Sequence, residues 1–166
     1  MRLALFQPDI PQNLGAAIRL TACLGVPLDV IEPCAFPLSD RALRRSAMDY
    51  GAAAQISRHS GWSAFESGAR AAGSRLILFT TKADGPLYQF SFRSTDILLF
   101  GRESAGVPDE VHHAADARLI IPIRPETRSL NVISAAAIAL SEALRQTDGF
   151  PGAAAITAFP NPSGMI

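Results

Sequence analysis

Short apolar runs alternate with helical patterns along this chain, and this alternation restricts the fold more than any other feature of the sequence. The strongest strand predictions are residues 75–81 and 96–100, which are short, apolar and bounded by turn residues. Further strands are predicted at residues 2–6, 28–31, 55–57 and 118–121. Strands that alternate with helices form parallel sheets, so the pattern predicts an α/β domain with a mainly parallel sheet.

Helices are predicted between these strands, at residues 13–24, 40–47, 61–72, 108–114 and 130–145. Gly25 ends the first of them. Ser39 and Ser60 are the predicted N-caps of the second and the third, and Pro108 suits the first turn of the fourth. Between the two strongest strands the sequence predicts a loop with a turn at residues 84–86.

The length of 166 residues and a hydrophobic content of 48% predict one domain with its own core. We expect this domain to cover residues 1–152 and a partly mobile tail, rich in Pro, Gly and Ala, to cover 153–166. No apolar run reaches the roughly 20 residues of a membrane-spanning helix. The apolar start meets Gln7 and Pro8 too early for a signal peptide. The sequence therefore predicts a cytoplasmic protein without a membrane anchor.

The cysteines and histidines predict no metal site. Cys23 and Cys34 form no CxxC pair, and the adjacent His112 and His113 would point in different directions on a helix. The formal net charge is zero, which argues mildly against indiscriminate binding of nucleic acid. Lys82 is the only lysine. A preference for arginine suits phosphate binding, but a GC-rich genome produces the same bias and is the explanation that we prefer.

Three loops concentrate the residues that could bind a ligand or take part in catalysis. The first, residues 13–19 (NLGAAIR), opens the helix after the first strand, where a helix N-terminus attracts anions. It lacks the Gly-x-Gly-x-x-Gly of a dinucleotide-binding turn, which argues against an open Rossmann oxidoreductase. Arg19 lies one turn after Gly15, so both are expected to face the same opening. A solvated helix arginine is the simpler alternative.

The second and third loops follow later strands. The second, residues 100–108 (FGRESAGVP), places two glycines around Glu103, and glycines let a backbone approach a ligand closely. A glycine-rich surface turn would have the same composition. The third, residues 120–131 (IIPIRPETRSLN), leaves a strand and enters the last helix. Ser129 and Asn131 of this loop either bind a ligand or cap that helix.

Together the three loops resemble, in order and spacing, the three motifs of the SpoU-TrmD superfamily. From residue 1 to about residue 152 the chain is similar to its small single-domain tRNA (cytidine/uridine-34) 2'-O-methyltransferases. Matching segments outside the loops are residues 10–13 (IPQN), 31–33 (IEP), 43–45 (LRR), 49–50 (DY), 58–59 (RH), 80–82 (TTK) and 150–152 (FPG). The resemblance implies methyl transfer from S-adenosylmethionine to the ribose 2'-hydroxyl of the wobble nucleotide, a cytidine or a modified uridine.

The resemblance also implies helices on both faces of the sheet, a C-terminal trefoil knot, a homodimer and the anticodon stem-loop of tRNA as the partner. Arg19 is the implied catalytic residue, acting on the 2'-hydroxyl together with a phosphate of the substrate. The implied contacts of S-adenosylmethionine are Phe79, Gly101, Ile121, Ser129 and Leu130. The residues implied to bind substrate or position the loops are Asn13, Glu103, Asn131, Arg44, Arg45 and His59.

Two alternatives stay open at this point. One is a 2'-O-methyltransferase for ribosomal RNA or another tRNA position, although larger ribosomal relatives usually carry an added RNA-binding domain for which this chain has no room. The other is a catalytically silent RNA-binding dimer, against which the intact Asn13, Arg19, Glu103 and Ser129 argue. Arg102, where some relatives carry proline, is a further candidate for binding phosphate.

Overall fold

A computed structural model of the chain describes residues 1–38 and 54–152. In this part of the chain all paired neighbours in the sheet are parallel, and their order is β3-β2-β1-β6-β4-β7-β5. The strands are β1 (Arg2–Phe6), β2 (Leu28–Ile31), β3 (Ile56–His59), β4 (Leu76–Phe79), β5 (Gly85–Pro86), β6 (Ile97–Phe100) and β7 (Ala117–Ile120). The predicted α/β fold with a mainly parallel sheet is confirmed.

The α-helices of the described residues are α1 (Pro11–Leu24), α2 (Trp62–Ala71), α3 (Asp109–Ala114) and α4 (Val132–Gln146), and a short 3-10 helix spans Leu87–Gln89. Several predictions fall outside the described residues: the helix at 40–47 with its cap Ser39, Arg44 and Arg45, and the tail at 153–166. No helix in the described parts of the chain combines the length and apolar character needed to cross a membrane.

Helix α1 shows how local sequence sets its two ends. It begins two residues earlier than predicted because Pro11 occupies its first turn, where a missing N–H costs nothing. Gly25 ends it with a φ of 65°, and its N–H donates to the carbonyl of Ala22. Glycine adopts this left-handed conformation without strain, so the predicted end of the helix is confirmed.

Side chains of the strands alternate between two apolar cores. Leu3 and Leu5 of β1 face the core that contains α1 and α4, while Ala4 and Phe6 face the core that contains α2 and α3. Helices therefore cover both faces of the sheet. Strands that are buried on both faces have no solvent-exposed side. For this reason β4 and β6 are apolar at every position.

Two local predictions are wrong. The turn predicted at residues 84–86 contains β5, which pairs with β7 through Gly85 opposite Leu119. A two-residue strand that ends in proline has no periodicity from which to predict it. Ser60 does not cap α2, because the helix begins one residue later and Gly61 occupies the N-cap position without a side-chain hydrogen bond.

The order of the strands explains where the candidate site lies. β1, β6, β4 and β7 are adjacent and parallel, so the segments that follow them all leave the same edge of the sheet. These segments include the three loops identified in the sequence. Ligands of α/β proteins bind at the carboxyl ends of parallel strands, so a ligand site is expected at this edge of the sheet.

Candidate active site

A cavity of about 480 Å³ opens at the carboxyl ends of β4, β6 and β7, a size typical of sites for small molecules. Phe79 and Phe100 are part of its wall, and their rings stack with centroids 4.8 Å apart. The residues predicted to contact the cofactor all line this cavity: Phe79, Gly101, Ile121, Ser129 and Leu130. Residues up to 51 positions apart in sequence, from Phe79 to Leu130, are thus brought to one place.

The second loop is closed by its own backbone. The N–H of Arg102 donates to the carbonyl of Gly106 at 2.9 Å, and the N–H of Gly106 donates back at 2.8 Å. Gly106 has a φ of 66°, the left-handed region that favours glycine. A Cβ on Gly101 would lie 2.5 Å from the carbonyl carbon of Gly106. Glycine is therefore required at 101 because the loop folds back against it.

A chain of hydrogen bonds joins the three loops. Asn131 Nδ2 donates to Asn13 Oδ1 at 3.1 Å, and Asn13 Nδ2 donates to Glu103 Oε1 at 2.8 Å. Asn131 is also the N-cap of α4, where its Oδ1 accepts from the N–H groups of Ile133 and Ser134. Asn131 is therefore both the cap of α4 and a member of this hydrogen-bond network.

Asp9 extends this network and was not identified from the sequence. Its N–H donates to Glu103 Oε2 at 3.0 Å, and its own Oδ2 accepts from the hydroxyl and N–H of Ser104. A hydrogen bond with the side chain of Glu103, aided by those from Ser104, lowers the pKa of Asp9 to about 2. An acidic residue directly after an apolar strand is the signal that could have pointed to it.

Arg19 lies outside the cavity, on the exposed side of α1. It follows Asn13 by six residues, which is about 9 Å along the axis and a different face of the helix. Gly15 is not part of the cavity wall either. Only the first turn of α1 reaches this cavity, so an opening shared by Arg19 and Gly15 stays a prediction. A ligand in contact with Arg19 must cover the outside of α1.

His59 lies at the end of β3, the edge strand of the sheet that is farther from β4, β6 and β7. Three strand spacings, or about 14 Å, separate β3 from β6. Its Nε2 lies 2.7 Å from Oδ1 of the buried Asp29, and Nε of Arg2 donates to the other oxygen of that carboxylate at 2.6 Å. In this chain His59 is held by Asp29 and does not reach the cavity.

Two basic residues in the cavity wall were not proposed from the sequence, Lys82 and His112. Burial lowers the pKa of His112, and the nearby charge of Lys82 lowers it further. Both effects favour the neutral form of its imidazole. Within residues 1–38 and 54–152, no three side chains of His, Cys, Asp or Glu gather as metal ligands would.

Known proteins are similar to this chain in sequence and in fold. A protein from Beijerinckia indica named tRNA (cytidine(34)-2'-O)-methyltransferase is 58% identical over 144 residues, which cover 87% of this chain and 90% of its own. A solved structure described as "Structural insights into the 2-OH methylation of C/U34 on tRNA" is 40% identical, with a TM-score of 0.81. The match covers 87% of this chain and 94% of that chain.

A second solved structure with a similar fold contains a bound cofactor. The SpoU methyltransferase AviRb from Streptomyces viridochromogenes, in complex with the cofactor AdoMet, is 27% identical with a TM-score of 0.76. The match covers 88% of this chain and 60% of that chain. The model of the SpoU rRNA Methylase family matches residues 1–141. With most of its length matched by that family model, the chain belongs to the SpoU rRNA methylase family.

Proposed function

We propose that this chain transfers a methyl group from S-adenosylmethionine to the ribose 2'-hydroxyl of nucleotide 34 of tRNA. The observation that carries the proposal is its 58% identity, over nearly all of both chains, to a relative named for this reaction. The hydrogen bonds that join Asn13, Glu103 and Asn131 support an intact site. An intact site argues against the alternative of a catalytically silent RNA-binding dimer.

The cavity wall suits S-adenosylmethionine. Phe79 and Phe100 provide an apolar surface for the adenine ring, and the backbone around Gly101 and Ile121 offers peptide donors and acceptors. When bound, the cofactor supplies a methyl group activated by a sulfonium. We assign its binding to the residues of the cavity wall already named: Phe79, Gly101, Ile121, Ser129 and Leu130.

The 2'-hydroxyl is a poor nucleophile at neutral pH, so the protein must help to remove its proton or stabilise the developing negative charge. We assign this role to Arg19. A guanidinium has a pKa above about 12 and is a weak base, so orientation of the RNA and electrostatic stabilisation are its contributions. The position of Arg19 outside the cavity fits contact with RNA rather than with the cofactor. Asn13, Glu103 and Asn131 hold the loops in place.

We also propose a homodimer. Ile10 and Leu130 are 40% and 39% exposed, and both border the cavity where α1 and α4 begin. A single subunit with zero net charge has little positive surface for an anticodon stem. A two-fold interface would place Arg19 of one subunit beside a basic residue of the other; the candidates are Arg44, Arg45 and His59.

The expected result of light scattering is a stable particle of about twice the 17.6 kDa of one chain. Substituting Ile10 by aspartate should shift the particle toward the monomer and lower activity in parallel. The matched control is Tyr88→Asp, because Tyr88 is also exposed and lies outside the cavity wall. A monomer with full activity would contradict the dimer.

The remaining parts of the proposal concern the fold. We propose one domain over residues 1–152, since a single sheet with two cores accounts for the described part of it. The C-terminal segment is proposed to pass through the loop that contains Gly101, which forms the trefoil knot of this superfamily. A tRNA substrate would make the protein cytoplasmic.

Methyl transfer to tRNA tests the proposed reaction directly. The protein is incubated with methyl-labelled S-adenosylmethionine and tRNA, and nucleoside mass spectrometry locates the label. We expect it at nucleotide 34, and a tRNA with 2'-deoxyribose at that nucleotide should accept none. Label at another position would favour a different RNA site. Binding of tRNA without any transfer would favour the silent dimer.

A further inference from the structure

We propose that Arg102 binds a backbone phosphate of the RNA substrate at the edge of the cavity. The inference rests on the proposed function only in taking RNA to be the substrate. Arg102 is half-buried, borders the cavity and belongs to the closed second loop. Its charge and its fixed position are the two properties that carry the argument.

A comparison with Arg75 shows that the charge of Arg102 is available. Both guanidinium groups lie over an aromatic ring, with Cζ 5.1 Å from the centroid of Phe90 for Arg75 and 5.7 Å from that of Phe6 for Arg102. Arg75 also donates to both carboxylate oxygens of Asp96, at 2.8 and 2.7 Å. Within the described residues, the guanidinium of Arg102 has neither a carboxylate nor a carbonyl as acceptor.

The side chain of Arg102 is half-buried, and its Nε is buried without an acceptor among the described residues. Its backbone pairs with Gly106 in both directions. A guanidinium that is held before binding loses little conformational freedom when it meets an anion. Two parallel N–H groups also match two phosphate oxygens.

Both Arg102 and Trp62, which lie against Phe6, carry a buried N–H without an acceptor in residues 1–38 and 54–152. The ring of Trp62 meets that of Phe6 edge-on at 6.1 Å, and its buried Nε1 also lacks an acceptor among the described residues. A third buried atom without a partner, Oδ1 of Asp9, is an acceptor in the segment between β1 and α1. Buried donors without acceptors are rare and call for an explanation.

The direction of the side chain favours RNA over the cofactor. Phe6 belongs to the core on the side of α2 and α3, whereas Phe79 and Phe100 of the cavity wall belong to the core on the side of α1 and α4. The guanidinium of Arg102 therefore lies against a ring of the other core. A ligand that reaches both places must be extended and carry negative charge along its length, as RNA does.

The test compares Arg102→Gln with Arg145→Gln. Arg145 is also an arginine, pairs with Glu142 at the far end of α4 and lies outside the cavity wall. Fluorescence anisotropy with bulk tRNA at several salt concentrations measures affinity, and calorimetry measures binding of S-adenosylmethionine. For Arg102→Gln we expect about tenfold weaker binding of tRNA. Its slope of log K against log salt should be smaller in magnitude by about 0.7 to 0.9, the loss of one phosphate contact.

Arg145→Gln should change neither measurement, and neither variant should change the affinity for S-adenosylmethionine. Arg102→Lys keeps the charge, so its salt slope should stay near that of the wild type while part of the affinity is lost. Unchanged tRNA affinity and slope in Arg102→Gln would overturn the inference. So would a loss of cofactor affinity alone, because Arg102 would then bind the cofactor.

The two proposals can fail separately. If tRNA binding depends on Arg102 but nucleotide 34 receives no label, the inference stands and the proposed reaction is wrong. If nucleotide 34 is labelled and Arg102→Gln binds tRNA like the wild type, the proposed reaction stands and the inference is wrong. The binding measurement needs only RNA phosphates, so it does not depend on which nucleotide is methylated.

Discussion

Replacing Arg19 with alanine is expected to lower the turnover number about 100-fold, a loss of roughly 2.7 kcal/mol of transition-state stabilisation. Arg19 lies on the exposed side of α1, outside the cavity, so its contacts are assigned to the RNA. A contact that is stronger in the transition state than in the bound substrate lowers turnover without an equal rise in KM. Steady-state and single-turnover rates with tRNA provide the measurement.

Two further variants define what Arg19 contributes. Arg19→Lys keeps the charge but loses the planar fork, so it should restore little activity. Arg145→Ala is the matched control, since it removes an exposed arginine from the last turn of α4, outside the cavity wall. Calorimetry should show the same affinity for S-adenosylmethionine in all of them. Wild-type turnover in Arg19→Ala would contradict the assignment and make Arg102 or Arg128 the next candidates.

Replacing Gly101 with valine is expected to weaken binding of S-adenosylmethionine far more than binding of tRNA. Any Cβ at this position would lie 2.5 Å from the carbonyl carbon of Gly106, so the closed loop must open. Strain of about 1–3 kcal/mol corresponds to a loss of cofactor affinity between about fivefold and 150-fold. The expected loss of affinity comes from this collision. The left-handed backbone conformation in this loop belongs to Gly106 and not to Gly101.

Calorimetry measures the cofactor affinity of Gly101→Val, and circular dichroism checks that it is folded. Gly101→Ala should show a smaller effect of the same sign. Gly68→Ala is the matched control, because a Cβ at Gly68 in α2 meets nothing within 4 Å. A folded Gly101→Val protein with unchanged affinity would remove Gly101 from the cofactor site.

The strands show what local sequence can predict. β1 and β2 begin and end where they were predicted, and the bounds of β4 and β6 differ by one or two residues at their ends. Burial on both faces makes these segments uniformly apolar, and that signal is local. β5 depends instead on its partner β7, so nothing within Gly85 and Pro86 indicates that they pair.

The site was predictable in outline only. The three loops meet because they follow parallel strands of one sheet, and the resemblance to the SpoU-TrmD superfamily implied a shared cofactor site. The hydrogen bonds that fix their geometry join side chains 90 and 118 positions apart, as Asn13 does with Glu103 and Asn131. No short pattern contains such pairs. The same holds for Arg19, whose distance from the cavity depends on how α1 lies across the sheet.

The position of Asn13 between two other loops has a consequence for how ligands bind. It receives a hydrogen bond from Asn131 and gives one to Glu103, while its own helix carries Arg19 toward the proposed RNA side. A ligand that orders any of these loops lowers the cost of ordering the others. Cooperativity of this kind is reciprocal: whatever factor bound cofactor adds to the affinity for RNA, bound RNA adds to the affinity for cofactor.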